Sequence, residues 1–510
     1  MSRVVLVAIL VPAIVLMTIG TYLFALHARP SPSPRARIQV QPSATSLTTS
    51  TTTTTRTNAN VPAVTVDPLM ERLMYWRKWP AVPRSYVDTL QRNADAVLSG
   101  DVSAGKRFFV FQTWQGGFNN ERMSYELAVL TSFLTRRTLV LPPPYPLYLL
   151  DSSSLEDYFD IEALRAAGLD VITFAEFLAD VLALDAKQRP SEAFVHHHHK
   201  IWETLQAHPR ITTVSEFAVA GDDEGQMCWV YPTYPSTPEA LERAKGWCLH
   251  NARIYGVLDN ARLMQPDIIF VPTRKLFDHY YSHFFFTDAA LGRETMAMMR
   301  QAVHLVQPAF EWAARVLQQL PPAFNAIHVR RNDFQYKDIR HIPVATIIQN
   351  TRAALPPDEP LYIATDEKDP AFLREWRDLY TAERIFSLEA NFTATLAKAP
   401  KRWLGLIEMI VASQAKMFVG SRLSTFSGYI TRLRGYMNAT YQETHFTTDS
   451  SDAWLQLERD KGLEGYRPND RLPLWAKEWS WATWGREFKE AWDANLQLYA
   501  PRNAEPNRKR

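Results

Sequence analysis

The pattern of apolar and polar residues divides the chain into one long apolar run, one polar segment and a region of short alternating runs. Residues 4–26 contain no charged side chain and read VVLVAILVPAIVLMTIGTYLFAL. A helix crosses a hydrocarbon layer of about 30 Å in about 20 residues, so this run predicts a transmembrane helix, with residues 1–27 as cytosolic tip and anchor. Residues 28–66 are rich in Pro, Ser and Thr and lack hydrophobic periodicity, which predicts a disordered stem.

Beyond the stem, strand-like and helix-like patterns alternate. A helical, Trp-bearing segment is expected near 68–98, followed by a buried strand at 107–113 (RFFVFQT). A glycine turn follows, then a helix whose apolar stripe is formed by Met123, Leu127, Leu130 and Leu134. A second strand at 138–141 completes the βαβ unit of a parallel sheet.

The second half of the chain repeats this alternation. Four strands are predicted, at 324–329, 361–365, 384–388 and 417–420. Helices are predicted between and after them, at 343–355, from 370 onwards, at 402–415 and at 425–434. Residues 150–310 are predicted to be mostly helical, with a loop at 221–235.

This organisation predicts an α/β protein with two domains, since 510 residues suffice for two hydrophobic cores. The domains are expected at 67–310 and 311–470. Residues 471–510 should form a Trp-rich helical segment, packed across the domains, and a disordered basic tail.

The composition bears on two questions, nucleic-acid binding and disulfide bonding. A formal charge of +2 with dispersed basic residues gives no reason to expect nucleic acid as a partner. The chain has two cysteines, Cys228 and Cys248, so disulfides cannot hold this fold together, although one bridge between them is possible.

The orientation of the predicted anchor is judged from conflicting signals. Basic residues follow the apolar run, which by the positive-inside rule places the large domain in the cytosol. The Ser/Thr tract at 43–57 and the glycosylation sequons at Asn391 and Asn438 favour the lumen instead. We expect a single-pass type II protein of the ER or Golgi membrane with a lumenal catalytic domain, leaving ER versus Golgi open.

Three segments follow predicted strands and carry groups suited to a phosphate ligand. The first is the glycine turn and helix start, with Gly116, Gly117, Phe118, Asn119, Asn120 and Glu121. It lacks the G-x-G-x-x-G dinucleotide fingerprint, and a tight turn that merely needs glycine is the alternative.

The other two segments lie in the second predicted domain. HVRRND at 328–333 could grip a phosphate through arginine, or could be a surface ion-pair cluster. GSRLSTFS at 420–427 could offer hydroxyls and helix N–H groups, or could be an ordinary N-cap. Because carboxyl ends of parallel strands meet at one sheet edge, these segments, with Asp366 at a third strand end, suggest a diphosphate site.

Together these motifs, in this order, resemble the motif set of protein O-fucosyltransferases over residues 105–437. The resemblance implies a GT-B fold, with two Rossmann-like domains facing a cleft, the first on the acceptor side and the second binding the donor. It also implies GDP-fucose as donor, inversion at the anomeric carbon, and no required metal or cofactor. The lack of an Asp-x-Asp triplet agrees with the last point.

The resemblance also implies roles for individual residues. Arg330 would hold the β-phosphate, and Asn119 would approach the sugar from the other domain. The implied GDP-sugar site comprises Gly116, Gly117, Phe118, Asn120, His328, Arg331, Asp366, Ser424, Thr425, Phe426 and Arg432. Where one branch of the family has a catalytic Glu, this chain has Gly116, so the base would be Glu121, Asp333 or the departing phosphate.

Several alternatives stay open. The donor could carry another deoxysugar such as rhamnose, or the protein could be a non-catalytic lumenal binder of nucleotide sugars or glycans. The acceptor could be a folded protein domain, a glycan or a wall polysaccharide. The run His196–His199 could bind a metal but is expected to be an exposed loop, because consecutive side chains point different ways.

Overall fold

The structure is a computed structural model that describes residues 67–446, except 79–80, 99–104, 113–116, 147–151, 185–197, 215–226, 232–252, 259–260, 272–281, 287, 332–341, 353, 381, 422–423 and 440–443. The described strands are β1 Phe108–Phe111, β2 Thr138–Val140, β3 Tyr145–Pro146, β4 Ser152–Ser153, β5 Val171–Ile172, β6 Ile211–Thr213, β7 Met227–Tyr231, β8 Arg253–Gly256, β9 Ile268–Val271, β10 Ser282–Phe286, β11 Asn325–Val329, β12 Leu361–Thr365, β13 Ile385–Phe386, β14 Phe418–Gly420 and β15 Thr444–Phe446.

The described α-helices alternate with these strands. They are α1 Pro68–Leu73, α2 Arg84–Val97, α3 Phe118–Thr135, α4 Ile161–Ala166, α5 Phe174–Glu176, α6 His198–Ala207, α7 Ala261–Met264, α8 Ala289–Ala302, α9 Gln307–Leu317, α10 Val344–Thr351, α11 Pro370–Leu379, α12 Leu388–Asn391, α13 Leu404–Ser413 and α14 Thr425–Tyr436. The predicted α/β class is therefore confirmed.

The first sheet is parallel and has the strand order β5-β2-β1-β9-β6. Its central strands, β1 and β9, are buried at every position. Both read as continuous apolar runs, as expected for a parallel sheet covered on both faces. Helix α3 connects β1 to β2 and packs against both, which completes the predicted βαβ unit.

The second sheet is also parallel, with the order β13-β12-β11-β14-β15. The chain runs outward from β11 through β12 to β13, then returns to the other side of β11 for β14 and β15. The strand order therefore reverses between β11 and β14. In open parallel sheets a crevice forms at this reversal, outside the carboxyl ends of the two strands.

Two buried arginines support the opposite, amino-terminal edge of the first sheet. Arg137 donates to the carbonyl oxygens of Leu263 and Pro266, both at 2.7 Å. Arg107 donates to the carbonyl oxygen of Met264 at 2.8 Å. Burial lowers the pKa of Arg107 to about 10. These guanidinium groups bind backbone carbonyls left open at helix ends, so their role is structural.

Most of the predicted elements are confirmed, with shorter bounds at several ends. The prediction for 150–310 was wrong in part, because this region also supplies strands to both the first sheet and a three-stranded sheet, β10-β7-β8. Strand β7 occupies part of the predicted loop at 221–235. Its short run MCWVY lies between the polar residues 221–226 and Pro232, which together read as a loop, and it pairs with β8 and β10.

The predicted boundary between the two domains lies at residues 310 and 311. The predicted break between residues 310 and 311 falls inside helix α9, so the chain does not change domain at a loop there. The division into domains at 67–310 and 311–470 stays a prediction.

In the part of the chain that the structure describes, no helix is long and apolar enough to span a membrane. The anchor at 4–26, the stem at 28–66 and the Trp-rich segment at 471–510 lie outside the described residues.

Candidate functional site

The carboxyl ends of β11 and β14 are joined by a serine. The Ser421 hydroxyl donates to the carbonyl oxygen of His328 at 3.0 Å and accepts from the backbone N–H of Arg330 at 3.2 Å. This places Arg330 at the edge of the crevice between the two strands. The sequence reading quoted Ser421 in its motif but gave it no role.

Asp366, at the end of β12, holds the arginine segment from the other side. One carboxylate oxygen accepts from the backbone N–H of Arg331 at 2.6 Å. The other lies 3.3 Å from Nε of Arg330, and both side chains are about a quarter exposed. Asp366 therefore orients Arg330 at an edge that a ligand can reach.

Arg331 has a different environment from that of Arg330. Its guanidinium donates to the carbonyl oxygen of Ile342 at 2.7 Å, lies 3.4 Å from Glu367 and sits over the ring of Phe372. These contacts are all within the protein. The structure thus separates the two neighbouring arginines, of which the resemblance had named Arg330 for the β-phosphate.

His328 lies beneath this edge as a neutral imidazole. Burial, with the charge of Arg330 adding to it, lowers the pKa of His328 to about 3. Its Nδ1 lies 2.7 Å from the Ser427 hydroxyl, and its ring centroid is 4.8 Å from that of Phe426. His328 therefore ties β11 to helix α14 and packs against Phe426, one of the residues of the implied GDP-sugar site.

The start of helix α14 has the form of an anion site. The hydroxyl of the N-cap residue Ser424 makes no capping hydrogen bond. Thr425 and Phe426 open the helix and are half-buried. First-turn N–H groups carry a partial positive charge and suit a phosphate.

Helix α14 also lies very close to β14. A Cβ on Gly420 would lie 2.8 Å from both Cβ and Oγ of Ser427. Only glycine permits this approach, which brings the helix start to the carboxyl end of the strand.

On the first sheet, helix α3 begins at Phe118, with Gly117 in extended conformation as its N-cap. Asn119 is buried and its Nδ2 lies 3.4 Å from Sδ of Met409 on helix α13. The side-chain oxygens of Asn119 and Asn120 are buried and have no hydrogen-bond partner among the described residues. Buried oxygens are normally hydrogen-bonded, so these two are suited to accept a hydrogen bond from a group outside the described residues.

Two other predicted residues of this helix are packed within the protein. Glu121 is 1% exposed, so its carboxyl is closed to solvent. Phe118 packs against Tyr158 and Phe159, with ring centroids 4.8 and 5.8 Å apart, respectively. Arg432, predicted to bind the donor, is buried and forms an ion pair with Glu126 of helix α3.

Several predicted residues cannot be placed. Gly116, Asp333 and Cys248 lie outside the described residues, as does the side chain of Cys228 in β7, so the disulfide stays a prediction. Asn391 and Asn438 are exposed, which suits glycosylation but does not test it. Of the four histidines, His198 and His199 begin helix α6, whereas a loop was expected.

The sequence of this chain also matches a known protein family. The family model for GDP-fucose protein O-fucosyltransferases matches residues 108–437, well over half of the chain. The chain belongs to the GDP-fucose protein O-fucosyltransferase family. It is therefore a fucosyltransferase, and the motifs that carried the resemblance all lie within the matched residues. No curated protein matches this fucosyltransferase significantly in sequence.

Solved structures of other fucosyltransferases resemble this one at low identity. POFUT1 in complex with GDP-fucose is 12% identical, with a TM-score of 0.37, over 69% of this chain and 99% of that chain. A variant of Arabidopsis thaliana FUT1 in complex with GDP is 12% identical, with a TM-score of 0.37, over 76% and 80%. The Bradyrhizobium fucosyltransferase NodZ is 14% identical, with a TM-score of 0.35, over 64% and 94%.

One acidic residue of this fucosyltransferase was missed by the sequence reading. Glu408 lies on helix α13, among residues that read as an apolar helix face. Burial, reinforced by the negative charges of Glu389 and Asp366 and opposed by Lys368, raises the pKa of Glu408 to about 8. The signal for it was a single carboxyl in an apolar stretch, LGLIEMIVAS.

This raised pKa predicts a pH-dependent stability. The folded protein holds the Glu408 proton more tightly than the unfolded chain, so its contribution is present near pH 4.5 and is lost as pH rises to about 8. The variant Glu408→Gln cannot ionise, so its Tm relative to the wild type should rise by about 4 °C or more between pH 5 and pH 8.5. Thermal unfolding at both pH values measures this.

The matched control is Glu375→Gln, which changes an exposed carboxyl on helix α11. Its Tm difference from the wild type should be the same at both pH values. An equal difference for Glu408→Gln at both pH values would show that the Glu408 carboxyl is not held in its neutral form.

Proposed function

We propose that this fucosyltransferase moves fucose from GDP-fucose to a hydroxyl of a protein or glycan acceptor, with inversion at the anomeric carbon. The observation that carries the proposal is the juxtaposition of Arg330 and the start of helix α14 across the reversal of strand order between β11 and β14. A guanidinium and a helix N-terminus at one crevice suit a diphosphate.

In this proposal the second sheet binds the nucleotide. Arg330, oriented by Asp366 and by Ser421, contacts the β-phosphate. The hydroxyls of Ser424 and Thr425, with the N–H groups of α14, hold phosphate oxygens. Phe426, packed on the neutral His328, lines the guanine pocket. Asn119 and Asn120 offer their side-chain oxygens to the sugar.

The transfer step then needs charge stabilisation above all. The acceptor oxygen attacks the anomeric carbon, the bond from that carbon to the β-phosphate oxygen breaks, and its electron pair leaves with GDP. Negative charge grows on the diphosphate, where Arg330 and the α14 start lie already in place. Fixed groups of this kind are typically worth about 10²–10³-fold in rate each.

The proton of the acceptor hydroxyl goes to a base or to the departing phosphate. Three candidates can take this proton: Glu121, Asp333 and the departing phosphate. Glu121 is 1% exposed, so an acceptor hydroxyl reaches its carboxyl only if neighbouring side chains move. Asp333 lies three residues beyond Arg330 in the sequence. None of the three needs a metal ion, and we propose that transfer proceeds without one.

The setting of the reaction is proposed from the sequence. We place the two sheets in the facing domains of a GT-B fold and the catalytic part in the ER or Golgi lumen, anchored by residues 4–26 as a type II membrane protein. The Ser/Thr tract and the exposed Asn391 and Asn438 support a lumenal site.

The test is transfer of labelled fucose by the purified full-length protein. Secreted proteins that lack fucose serve as one acceptor pool and free glycans as another, with GDP-fucose, GDP-rhamnose and a UDP-sugar as donors. We expect transfer from GDP-fucose to one pool, with the anomeric configuration of the donor inverted in the product. Transfer only from the rhamnose donor would favour the alternative deoxysugar, and GDP binding without transfer to either pool would favour a non-catalytic binder.

A further inference from the structure

A buried cluster of charges joins the two helices whose starts form the proposed donor site. Glu126 of helix α3 lies between two arginines: its Oε1 is 2.9 Å from Nε of Arg122, and its Oε2 is ion-paired with Arg432 of helix α14. The Tyr429 hydroxyl donates to the same Oε2 at 3.0 Å. One carboxylate thus links a helix of the first sheet to a helix of the second.

The cluster is largely buried. The side-chain exposures are 0% for Arg122, 12% for Glu126 and 8% for Arg432. Burial opposes ionisation of Glu126, but the charges of Arg432 and Arg122 outweigh it and lower its pKa. The carboxylate is therefore ionised, and it contacts both arginines between the two helices.

The contacts fix the direction and the relative height of the two helices. Arg122 lies five residues beyond the N-cap Gly117, and its Cζ is 4.1 Å from the ring centroid of Tyr429, which lies five residues beyond the N-cap Ser424. Glu126 and its partner Arg432 lie nine and eight residues beyond the same N-caps. At 1.5 Å per residue, contacting residues stand at nearly the same height, about 7.5 Å and then about 12–14 Å from the helix starts.

Helices α3 and α14 therefore run side by side in the same direction, with their N-termini level. This arrangement is costly without compensation, because the like-charged ends of two parallel helices repel each other. Two buried arginines between them add to the positive charge. Glu126 is the carboxylate that offsets both, so it holds the two helix starts together.

Given the proposed function, we infer that Glu126 is a positioning residue that sets the glycine turn at Gly117 against the phosphate-binding start of α14. Glu126 touches neither donor nor acceptor. It acts by keeping Asn119 and Asn120, which meet the sugar, in register with Ser424 and Thr425, which meet the phosphates. A misplacement of about 1 Å in such a constellation costs about 10²-fold in rate.

The test separates positioning from a structural role by comparing kcat with donor affinity. The variant Glu126→Gln keeps the shape of the side chain and removes its charge. We expect kcat per folded protein to fall by about 10–100-fold. The dissociation constant of GDP should stay within about twofold, because GDP is held by groups of the second sheet. Glu126→Asp, which restores the charge on a shorter side chain, should recover part of kcat.

A milder variant covers the case in which Glu126→Gln fails to fold. Tyr429→Phe removes one hydrogen bond to Glu126 and keeps the ring under Arg122. It should lower kcat by about threefold with unchanged GDP affinity. The matched control is Glu359→Gln, which removes an ion pair with Lys416, 2.9 Å away, at the amino end of the second sheet. Its kcat and GDP affinity should both match the wild type.

The outcomes distinguish this inference from the proposed function. A wild-type protein that neither binds GDP nor transfers fucose overturns both. An active wild type whose Glu126→Gln or Tyr429→Phe variant keeps full kcat overturns the positioning role alone. Loss of GDP affinity in step with kcat would also contradict it, because the lesion would then lie in donor binding.

Discussion

Replacing Arg330 by alanine is expected to lower kcat/KM for GDP-fucose by about 10³-fold. Arg330 is the arginine that the structure places at the crevice edge, with Asp366 beside its Nε and Ser421 beneath its backbone. Its removal leaves the charge that develops on the departing diphosphate without its strongest partner. The measurement is steady-state transfer from GDP-fucose by the wild type and the variant at equal concentrations of folded protein.

The fold should survive this change. The pair of Arg330 and Asp366 is about a quarter exposed, and such pairs contribute about 0–1 kcal/mol to the free energy of unfolding. Arg384→Ala is the matched control, since Arg384 is exposed and precedes β13 at the opposite edge of the same sheet. Arg330→Lys keeps the charge but lacks the planar guanidinium group. Its kcat/KM should therefore lie between those of Arg330→Ala and the wild type. Near-normal turnover by Arg330→Ala would remove Arg330 from the mechanism.

The second large effect is expected at Gly420. Gly420→Ala places a Cβ 2.8 Å from Ser427 and 3.1 Å from the ring of Phe418. Ser427 cannot turn away freely, because its hydroxyl lies 2.7 Å from Nδ1 of the buried His328. Overpacking of this kind costs about 1–3 kcal/mol in the free energy of unfolding. It should also shift the α14 start from β14 and weaken GDP binding by at least about tenfold.

Denaturant unfolding and GDP titration measure the two parts of this prediction. Gly405→Ala is the control, because Gly405 lies in helix α13 and a Cβ there meets nothing within 4 Å. That change should leave GDP binding intact and stabilise the protein by up to about 1 kcal/mol. If Gly420→Ala binds GDP as the wild type does, close contact between β14 and α14 is not required for the site.

The elements of the second sheet were predictable because their patterns are local. Strand β12 was predicted at 361–365 and lies at Leu361–Thr365, where a short apolar run is bounded by Pro360 and Asp366. Strand β7 was missed, because its five-residue run MCWVY lies between the polar residues 221–226 and Pro232, so the whole stretch reads as a loop. Periodicity reports which face of an element is buried but not which distant segment covers it.

The candidate site was predictable as a set of segments, and its internal contacts were not. Motif order along strand ends placed Arg330, Asp366 and Thr425 at one sheet edge, since parallel strands end together. The resemblance named Arg330 for the β-phosphate, but the sequence could not show that Arg331 contacts Glu367 and Ile342 instead, because adjacent residues look alike in one dimension. Glu126 was missed for a different reason. One of its two arginine partners lies on its own helix, but the other lies on a helix that begins about 300 residues later.

The central claim is that the edge formed by β11, β14 and α14 binds the diphosphate of a guanine nucleotide. The most direct measurement is thermal unfolding of the full-length protein with GDP, GDP-fucose and UDP, for the wild type and Arg330→Ala. A ligand at 100 times its dissociation constant adds about 2.7 kcal/mol of stability, so a shift in Tm is readily seen. The account predicts stabilisation by GDP and GDP-fucose that UDP does not give and that Arg330→Ala loses. Equal stabilisation of the variant and the wild type, or stabilisation by UDP instead, would contradict it.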